Sequence, residues 1–507
     1  MLRSLMICSL LLTLIAAPAF AQKSFKHERK IEALVEAYVK HDKVNAVSVG
    51  VVSNGETWTR HYGVLDGKGT PVPNDQTIYE LGSISKVFTS LLLADAVEAG
   101  RLKLNDPISR VMTKLHEANP TVGDGITLQQ LSHHVSGLPR MPSNFKPADS
   151  TNPFAGYDRK LLMAYLLTAK PARKPGVDYE YSNLGVGLLG DLLSRNAGIS
   201  YEALLKQKLT APLKMSDTGI TLSAKQAARF APPHNAALLP DKAWDFDALA
   251  GCGAIRSNVD DMLLFMKASL NPPEGPLGKT IDLAWKQHKA PKGAARAMGL
   301  GWMIAGDGST RWHNGQTGGY QCMMLVNRQL KSATVLLCNT AGSGVDSLAE
   351  QIFQTIVGMN VQPKSFEEEF QADPKVTQRL AGRYQLAPGV VMEVQVKSGR
   401  MMVQITGQQF LAVIPQSQTE WKYQAVDATL KFELPKTGNS PKVTLHQAGR
   451  VLPAPRLKKS PAWRRHQLLG LANLIPLDED RGKEVRLVSD SLPSEPDVRF
   501  SRIRLSG

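Results

Sequence analysis

Cysteine, aromatic residues, acidic residues and long apolar runs are all scarce in this 507-residue chain. After residue 21, no segment approaches the roughly 18 consecutive apolar residues of a membrane-spanning helix, which excludes a transmembrane span. No group of Cys and His residues has metal-ligand spacing, so we expect neither a metal ion nor another cofactor. The adjacent pair His133 and His134 does not change this, because neighbouring residues do not share a ligating face on a helix or a strand.

The first residues have the pattern of a secretory signal. Arg3 is the charged end, residues 5–17 form an apolar stretch, and residues 19–21 (Ala-Phe-Ala) form a cleavage site. We therefore expect residues 1–21 to be a cleaved signal peptide and the mature protein to be exported to a bacterial periplasm. Cys8 lies inside the apolar stretch, which argues against a lipoprotein anchor.

Removal of the signal leaves three cysteines, namely Cys252, Cys322 and Cys338. The last two lie on apolar runs with the pattern of neighbouring strands. The sequence therefore leaves open a disulfide between Cys322 and Cys338. Buried free thiols are the alternative that we expect.

The chain is basic, with 60 Lys and Arg against 45 Asp and Glu and a formal net charge of +15. This charge suits an anionic setting such as an envelope surface or a cell-wall polymer, although excess Lys and Arg can also simply solubilise a surface. Nucleic acid is not expected as a partner, because the chain is predicted to be exported and aromatic residues make up 6% of it.

A Ser-x-x-Lys motif at Ser83 and Lys86 is the first of three motifs that together indicate chemistry. The almost wholly apolar run at residues 87–97 predicts a buried helix, and residues three apart on a helix share a face. The nitrogen of Lys86 can then reach the Ser83 hydroxyl, which is otherwise a poor nucleophile. Gly82 leads into this helix, and exposed N–H groups of the first turn favour negative charge.

The second motif is Tyr181-Ser182-Asn183, placed before another apolar helical run. A loop phenol held near two cations loses its proton more easily than a free one, so Tyr181 is a candidate base or proton relay. The third motif, His313-Asn314-Gly315, runs through a glycine-rich stretch into an apolar strand, where a ligand can approach the backbone closely.

Two literal motif copies elsewhere are decoys. Ser143 and Lys146 repeat the Ser-x-x-Lys spacing in a Pro-flanked loop without a helix to hold it. Residues 436–438 spell Lys-Thr-Gly, but the flanking residues predict a hairpin turn between two strands. The longer Leu-Pro-Lys-Thr-Gly is not followed by the apolar run of a cell-wall sorting signal.

With these motifs in this order, residues 30–358 resemble the serine β-lactamase and D-alanyl-D-alanine carboxypeptidase family, class C type. Further stretches resemble the same family, namely residues 126–139, 213–219, 250–257 and 299–302.

The resemblance implies a role for each motif residue. Ser83 would attack the substrate carbonyl, Lys86 and Tyr181 would move the proton, and Asn183 would bind the substrate amide. The backbone N–H groups of Ser83 and Gln316 would form the oxyanion hole.

The third motif departs from the Lys-Thr-Gly that the family usually carries to hold a substrate carboxylate. Here His313, Asn314 and Gly315 are the candidate substrate-binding residues, and a His-x-Gly triplet is similar to that of the esterase and aminopeptidase branches. Imidazole has an ordinary pKa of about 6.5, so His313 is expected to be a cation only in mild acid. If His313 binds a substrate carboxylate, catalytic efficiency toward anionic substrates should fall as pH rises through that pKa, while neutral esters should not show this decline.

The predicted fold class is α+β: an antiparallel sheet flanked by helices, with an all-α subdomain, followed by a small all-β barrel. Asn54-Gly55 predicts a hairpin near the start, and alternation from Leu380 onward predicts the barrel, which resembles a lipocalin-like domain. The expected division is a signal peptide at 1–21, a catalytic domain at 22–360, the barrel at 361–457 and an extension of unknown role at 458–507.

The function expected from the resemblance is an exported hydrolase that acts on a β-lactam, a D-Ala-D-Ala peptide or a related amide. An esterase or D-amino-acid aminopeptidase of the same family is the first alternative, and a non-catalytic penicillin-recognising scaffold is the second. The expected partner is a small-molecule or cell-wall peptide substrate, and the C-terminal domain is a candidate for homo-oligomer formation.

Overall fold

The computed structural model describes residues 25–41, 43–67, 69, 71–288, 297–366, 370–397, 400–406, 410–423, 428–447 and 450–457. The expected signal peptide at 1–21 and the expected extension at 458–507 therefore lie outside the described residues.

A six-stranded antiparallel sheet organises the first part of the chain, in the strand order β2-β1-β8-β7-β6-β5. Its strands are β1 (Ala46–Ser53), β2 (Glu56–Gly63), β5 (Met303–Ile304), β6 (Arg311–Gln316), β7 (Gln321–Asn327) and β8 (Ser332–Cys338). A separate short pair consists of β3 (Tyr79–Glu80) and β4 (Arg256–Ser257).

The predicted hairpin at the start of the sheet is confirmed. β1 and β2 pair in register from Ala46 opposite Gly63 to Ser53 opposite Glu56. The two turn residues, Asn54 and Gly55, have φ values of 50° and 87°. Asn and Gly tolerate this left-handed conformation best, which is why the dipeptide forms the turn.

Helices cover both faces of the sheet and also form a helical region in the middle of the chain. They are α1 (Glu28–Lys40), α2 (Ser85–Glu98), α3 (Lys114–Ala118), α4 (Pro120–Gly123), α5 (Leu128–Ser132), α6 (Arg159–Thr168), α7 (Asn183–Ala197), α8 (Tyr201–Leu205), α9 (Ala224–Ala227), α10 (Val259–Leu270), α11 (Pro276–Trp285), α12 (Val345–Ile356) and α13 (Pro374–Leu380). Within the described ranges, none of these helices has both the length and the apolar character that crossing a membrane requires.

Strand β1 shows how the sheet is buried on both faces. Val47, Val49 and Val51 join a core cluster with α1 and α12. Gly50 points to the other face, where an added Cβ would lie 2.7 Å from a methyl group of Val259 in α10. Because both faces are covered, every residue of β1 is buried.

The three described cysteines are free and buried. Cys322 pairs in register with Leu337 rather than with Cys338. This offset of one residue sends the two thiols to opposite faces of the sheet and into different core clusters. The expectation of free thiols is confirmed, and the disulfide that the sequence left open is not formed.

The C-terminal part is a nearly closed barrel of eight strands in simple meander order. The strands are β9 (Gly382–Ala387), β10 (Val390–Lys397), β11 (Arg400–Ile405), β12 (Leu411–Pro415), β13 (Glu420–Tyr423), β14 (Ala428–Phe432), β15 (Lys442–Gln447) and β16 (Arg450–Pro455). A bridge between Tyr384 and Arg456 joins the first strand to the last, and Arg456 also donates to the Tyr384 hydroxyl at 2.9 Å. The Lys-Thr-Gly decoy at 436–438 lies between β14 and β15, as predicted.

Candidate active site

Ser83 and Lys86 meet at the start of α2. Gly82–Ile84 forms a single 3₁₀ turn that leads into the helix, and Ser83 is partly exposed between buried neighbours. Lys86 is 1% exposed, and its Nζ donates to Ser83 Oγ at 2.7 Å and to the carbonyl oxygen of Cys252 at 2.8 Å. Two acceptors therefore fix the Lys86 nitrogen against the Ser83 hydroxyl.

The segment that supplies the Cys252 carbonyl is itself attached to α2. Thr89 Oγ1 donates to the carbonyl of Gly251 at 2.6 Å, and the backbone N–H of Ile255 donates to Ser85 Oγ at 3.0 Å. The segment is thus held on both sides of Cys252, which keeps the acceptor of Lys86 in place. Residues 250–257 are among the stretches that resemble the family, but no sequence pattern marks this carbonyl as a site group.

The ring of Tyr181 lies beside Lys86. The Lys86 Nζ lies 4.8 Å from the ring centroid, and the guanidinium of Arg140 lies 5.1 Å from it. The imidazole of His134 packs on the ring with centroids 4.4 Å apart. The structure therefore brings the predicted residues Ser83, Lys86 and Tyr181 together, and it sets two cations beside the phenol ring.

A cleft opens at Ser83, and Asn183 is part of its wall. The side chain of Ser182 caps α7 by accepting from the N–H of Gly185 at 2.8 Å, which places Asn183 at the first position of the helix. The residues that line the cleft are Gly82, Ser83, Phe154, Asn183, Trp244, Phe246, Cys252, Gly253, Gln316 and Thr317.

Three aromatic residues form one wall of the cleft, and sequence reasoning missed them. The ring centroid of Phe154 lies 5.3 Å from that of Trp244 and 4.4 Å from that of Phe246. They come from loops about 90 residues apart with no hydrophobic periodicity, so no local pattern marks them as neighbours. They give the cleft an apolar wall beside the polar groups at Ser83.

The edge of strand β6 packs directly on the backbone of the Ser83 turn. A Cβ added to Gly315 would lie 1.9 Å from the Leu81 carbonyl oxygen and 3.1 Å from the Ser83 nitrogen. A Cβ added to Gly82 would lie 2.6 Å from the Gln316 nitrogen. Only glycine fits at these two positions, and the contact sets the backbones of Ser83 and Gln316 side by side.

The His313 and Asn314 side chains are held away from the cleft. His313 is 1% exposed, and its Nδ1 lies 2.6 Å from the carbonyl oxygen of Asn314. The Asn314 amide donates to Asp346 at 2.8 Å; burial raises the pKa of this carboxyl to about 6.

Burial, together with the nearby charge of Lys86, lowers the pKa of His313 to about 3. The expectation that His313 becomes a cation in mild acid is therefore wrong. The physical reason is that the ring lies inside the protein, where water cannot stabilise its charge. The third motif therefore contributes a strand segment without a charged side chain to the site.

The neutral state of His313 predicts a particular pH dependence. Between about pH 5 and 8 the imidazole stays uncharged, because its pKa is depressed far below the ordinary value of about 6.5. The kcat/KM values for a carboxylate-bearing substrate and for a neutral ester should therefore change in parallel over this range. A decline near pH 6.5 that occurs with the anionic substrate and not with the ester would contradict this.

A large part of the chain matches one protein family. Residues 31–356 match the family model described as Beta-lactamase. The chain belongs to the beta-lactamase family. The range of this match agrees closely with the resemblance seen in residues 30–358 of the sequence, which is thereby confirmed.

Relatives within the beta-lactamase family include both lactamases and peptidases. A beta-lactamase of Escherichia coli (strain K12) is 28% identical over 307 residues, covering 58% of this chain and 75% of the relative. The D-alanyl-D-alanine-carboxypeptidase/endopeptidase AmpH of the same organism is 28% identical over 327 residues, covering 60% and 80%. A beta-lactamase of Pseudomonas fluorescens is 27% identical over 274 residues, covering 54% and 73%.

Among solved structures, a class C beta-lactamase aligns with a TM-score of 0.58 and 21% identity, covering 67% of this chain and 98% of the other. At this identity the likeness speaks for the fold, and it confirms the predicted arrangement of sheet and helices. Membership of the beta-lactamase family makes the protein a serine hydrolase.

Proposed function

We propose that this protein hydrolyses an amide or β-lactam bond through an acyl-enzyme on Ser83. The observation that carries the proposal is the 2.7 Å hydrogen bond from the buried Lys86 to the hydroxyl of Ser83, a partly exposed residue that lines a cleft. A buried amine beside a hydroxyl is the arrangement that activates a serine nucleophile.

Each step of this reaction has a candidate group. Ser83 Oγ bonds to the substrate carbonyl carbon, and its proton passes to the pair formed by Lys86 and Tyr181. The oxyanion that forms accepts from the backbone N–H groups of Ser83 and Gln316. The scissile bond then breaks, the leaving nitrogen takes the proton, and water hydrolyses the acyl ester by the reverse proton path.

The proposed substrates are a β-lactam or a D-Ala-D-Ala-type cell-wall peptide. The names of the relatives favour this class, and Asn183 in the cleft wall can hydrogen-bond a substrate amide. The aromatic wall of Phe154, Trp244 and Phe246 suits the apolar part of an acyl group.

A second candidate is an esterase or D-amino-acid aminopeptidase. The observation in its favour is the neutral third motif, in which His313 is buried and the Asn314 amide is bound to Asp346. Without a cation at that position, a substrate carboxylate loses the partner that Lys-Thr-Gly supplies in other members of the family.

One experiment separates these candidates. The mature protein is incubated in parallel with a β-lactam, a D-Ala-D-Ala peptide and a short-chain nitrophenyl ester, and its labelling by a fluorescent penicillin is followed over time. We expect turnover of the lactam or the peptide with transient labelling. Ser83→Ala should abolish both, while Ser143→Ala, at the exposed decoy motif, should change neither.

The other outcomes decide against the first proposal. Turnover of the ester without the other two favours the second candidate. An absence of both labelling and turnover favours the non-catalytic scaffold.

We also propose that residues 1–21 direct export to the periplasm and that the barrel at 361–457 serves assembly. Export predicts a mature chain that begins at Gln22, which the intact mass of the secreted protein tests. Assembly predicts a native mass of at least twice the mass of the mature chain, and a native mass equal to one chain would contradict it.

A further inference from the structure

His134 hydrogen-bonds the backbone of the residues immediately before and after Tyr181. Its carbonyl oxygen accepts from the backbone N–H of Glu180 at 2.8 Å, and its ring Nδ1 accepts from the backbone N–H of Ser182 at 3.1 Å. The two bonds flank Tyr181 along the chain, so a backbone group and a side-chain group of one residue fix the residues before and after the phenol.

The imidazole of His134 also packs on the tyrosine ring. The ring centroids of His134 and Tyr181 are 4.4 Å apart with an angle of 31° between the planes. A second tyrosine, Tyr179, meets the imidazole edge-on at 5.8 Å. One face of the phenol ring is thus fixed by a side chain that is itself 2% exposed.

The protonation of His134 suits this arrangement. Burial and the charge of Lys86 hold its pKa well below the ordinary value, so the ring is neutral. Because Nδ1 accepts a hydrogen bond, the ring proton is on Nε2. A protonated Nδ1 would face the Ser182 N–H as a second donor and would break the contact.

The backbone of His134 is strained, which points to a function for the residue. Its φ is +56°, in the left-handed region that residues with a Cβ seldom adopt. Strain of this kind persists where surrounding structure imposes it, and it clusters at active sites. The unusual φ lets one residue direct both its carbonyl and its ring to the Tyr181 segment.

We propose that His134 is a positioning residue that holds the Tyr181 hydroxyl at the reacting atoms. The inference rests on the proposed function, in which Tyr181 relays the proton of Ser83. His134 contacts the ring of Tyr181 and the backbone N–H groups of Glu180 and Ser182, so it acts through the tyrosine.

The test compares substitutions that keep or remove the Nδ1 contact. In His134→Asn the amide oxygen takes the place of Nδ1, and Asn tolerates a left-handed φ. In His134→Ala the acceptor and the ring are both lost. His133→Ala is the matched control, because His133 is also buried but packs against His288 instead of Tyr181.

We expect His134→Ala to lower kcat about 10- to 100-fold with KM changed less than about threefold, since small misplacements of a catalytic group have effects of this size. His134→Asn and His133→Ala should remain within about threefold of the parent in kcat. Thermal melting of each variant reports whether it is folded. Equal losses of kcat in the Asn and Ala variants, or in the His133 control, would overturn the proposal.

A double substitution distinguishes a failure of this inference from a failure of the proposed function on which it rests. Tyr181→Phe removes the hydroxyl, so adding His134→Ala to it should lower kcat by less than about threefold further. If the second substitution lowers kcat as strongly as it does in the parent, His134 does not act through the hydroxyl and the inference fails. If Tyr181→Phe by itself leaves kcat unchanged, the proposed proton relay fails instead.

Discussion

Replacing Lys86 by methionine is expected to lower kcat/KM on the order of 10⁴-fold, which is typical for the loss of a residue that activates a nucleophile. Its Nζ donates a hydrogen bond to Ser83 Oγ, the candidate nucleophile that lines the cleft. Methionine has a similar length and suits a buried site. The protein should therefore remain folded while the proposed proton transfer from Ser83 loses the Lys86 amine. Steady-state kinetics and thermal melting, measured on the same preparation, check this.

Lys146 provides the matched control for this substitution. It stands three residues after Ser143, as Lys86 does after Ser83, but its side chain is exposed. Lys146→Met should leave kcat/KM within about twofold, because exposed substitutions away from a site have small effects. Comparable losses in the two variants would contradict the assignment of Lys86.

Replacing Gly315 by alanine is expected to lower kcat by at least about 100-fold, the size of effect seen when one oxyanion-hole donor is lost. The added methyl group would lie 1.9 Å from the Leu81 carbonyl oxygen and 3.1 Å from the Ser83 nitrogen. These are backbone atoms, which cannot rotate away as the end of a side chain could. Strand β6 and the Ser83 turn must then separate. We expect the rate of covalent labelling at Ser83 to fall in the same proportion as kcat.

Gly308→Ala is the control for the backbone effect of adding a methyl group. Gly308 lies in the turn before β6 with a φ of +74°, and an added Cβ would meet no atom within 4 Å. Its substitution carries the strain of a left-handed alanine, about 1–2 kcal/mol, without touching the site. We expect a lower melting temperature with kcat unchanged. A similar fall in kcat for both variants would show that general destabilisation explains the loss.

Much of the fold could be predicted because the short-range sequence patterns of turns, helices and strands match the elements that form in the structure. The Asn54-Gly55 turn, the apolar run after Lys86 and the alternation of the barrel strands each follow from short-range rules of conformation. The proximity of Ser83 and Lys86 follows in the same way, because three residues along a helical turn return the chain to one face.

Other features of the site depend on long-range packing that no local pattern contains. The aromatic wall joins residue 154 to residues 244–246, and the Cys252 carbonyl reaches Lys86 across 166 positions of the chain. His313 was assigned its ordinary ionisation from its type, but its burial follows from the way β6 is covered. The role inferred for His134 depends likewise on bonds to residues 46 and 48 positions away.

The most direct test is the mass of the intact protein during turnover of its substrate. The account predicts a transient gain equal to the acyl group, located by peptide mapping to Ser83 and absent from Ser83→Ala. Turnover by Ser83→Ala at the parent rate, or an acyl group mapped to any other residue, would contradict it.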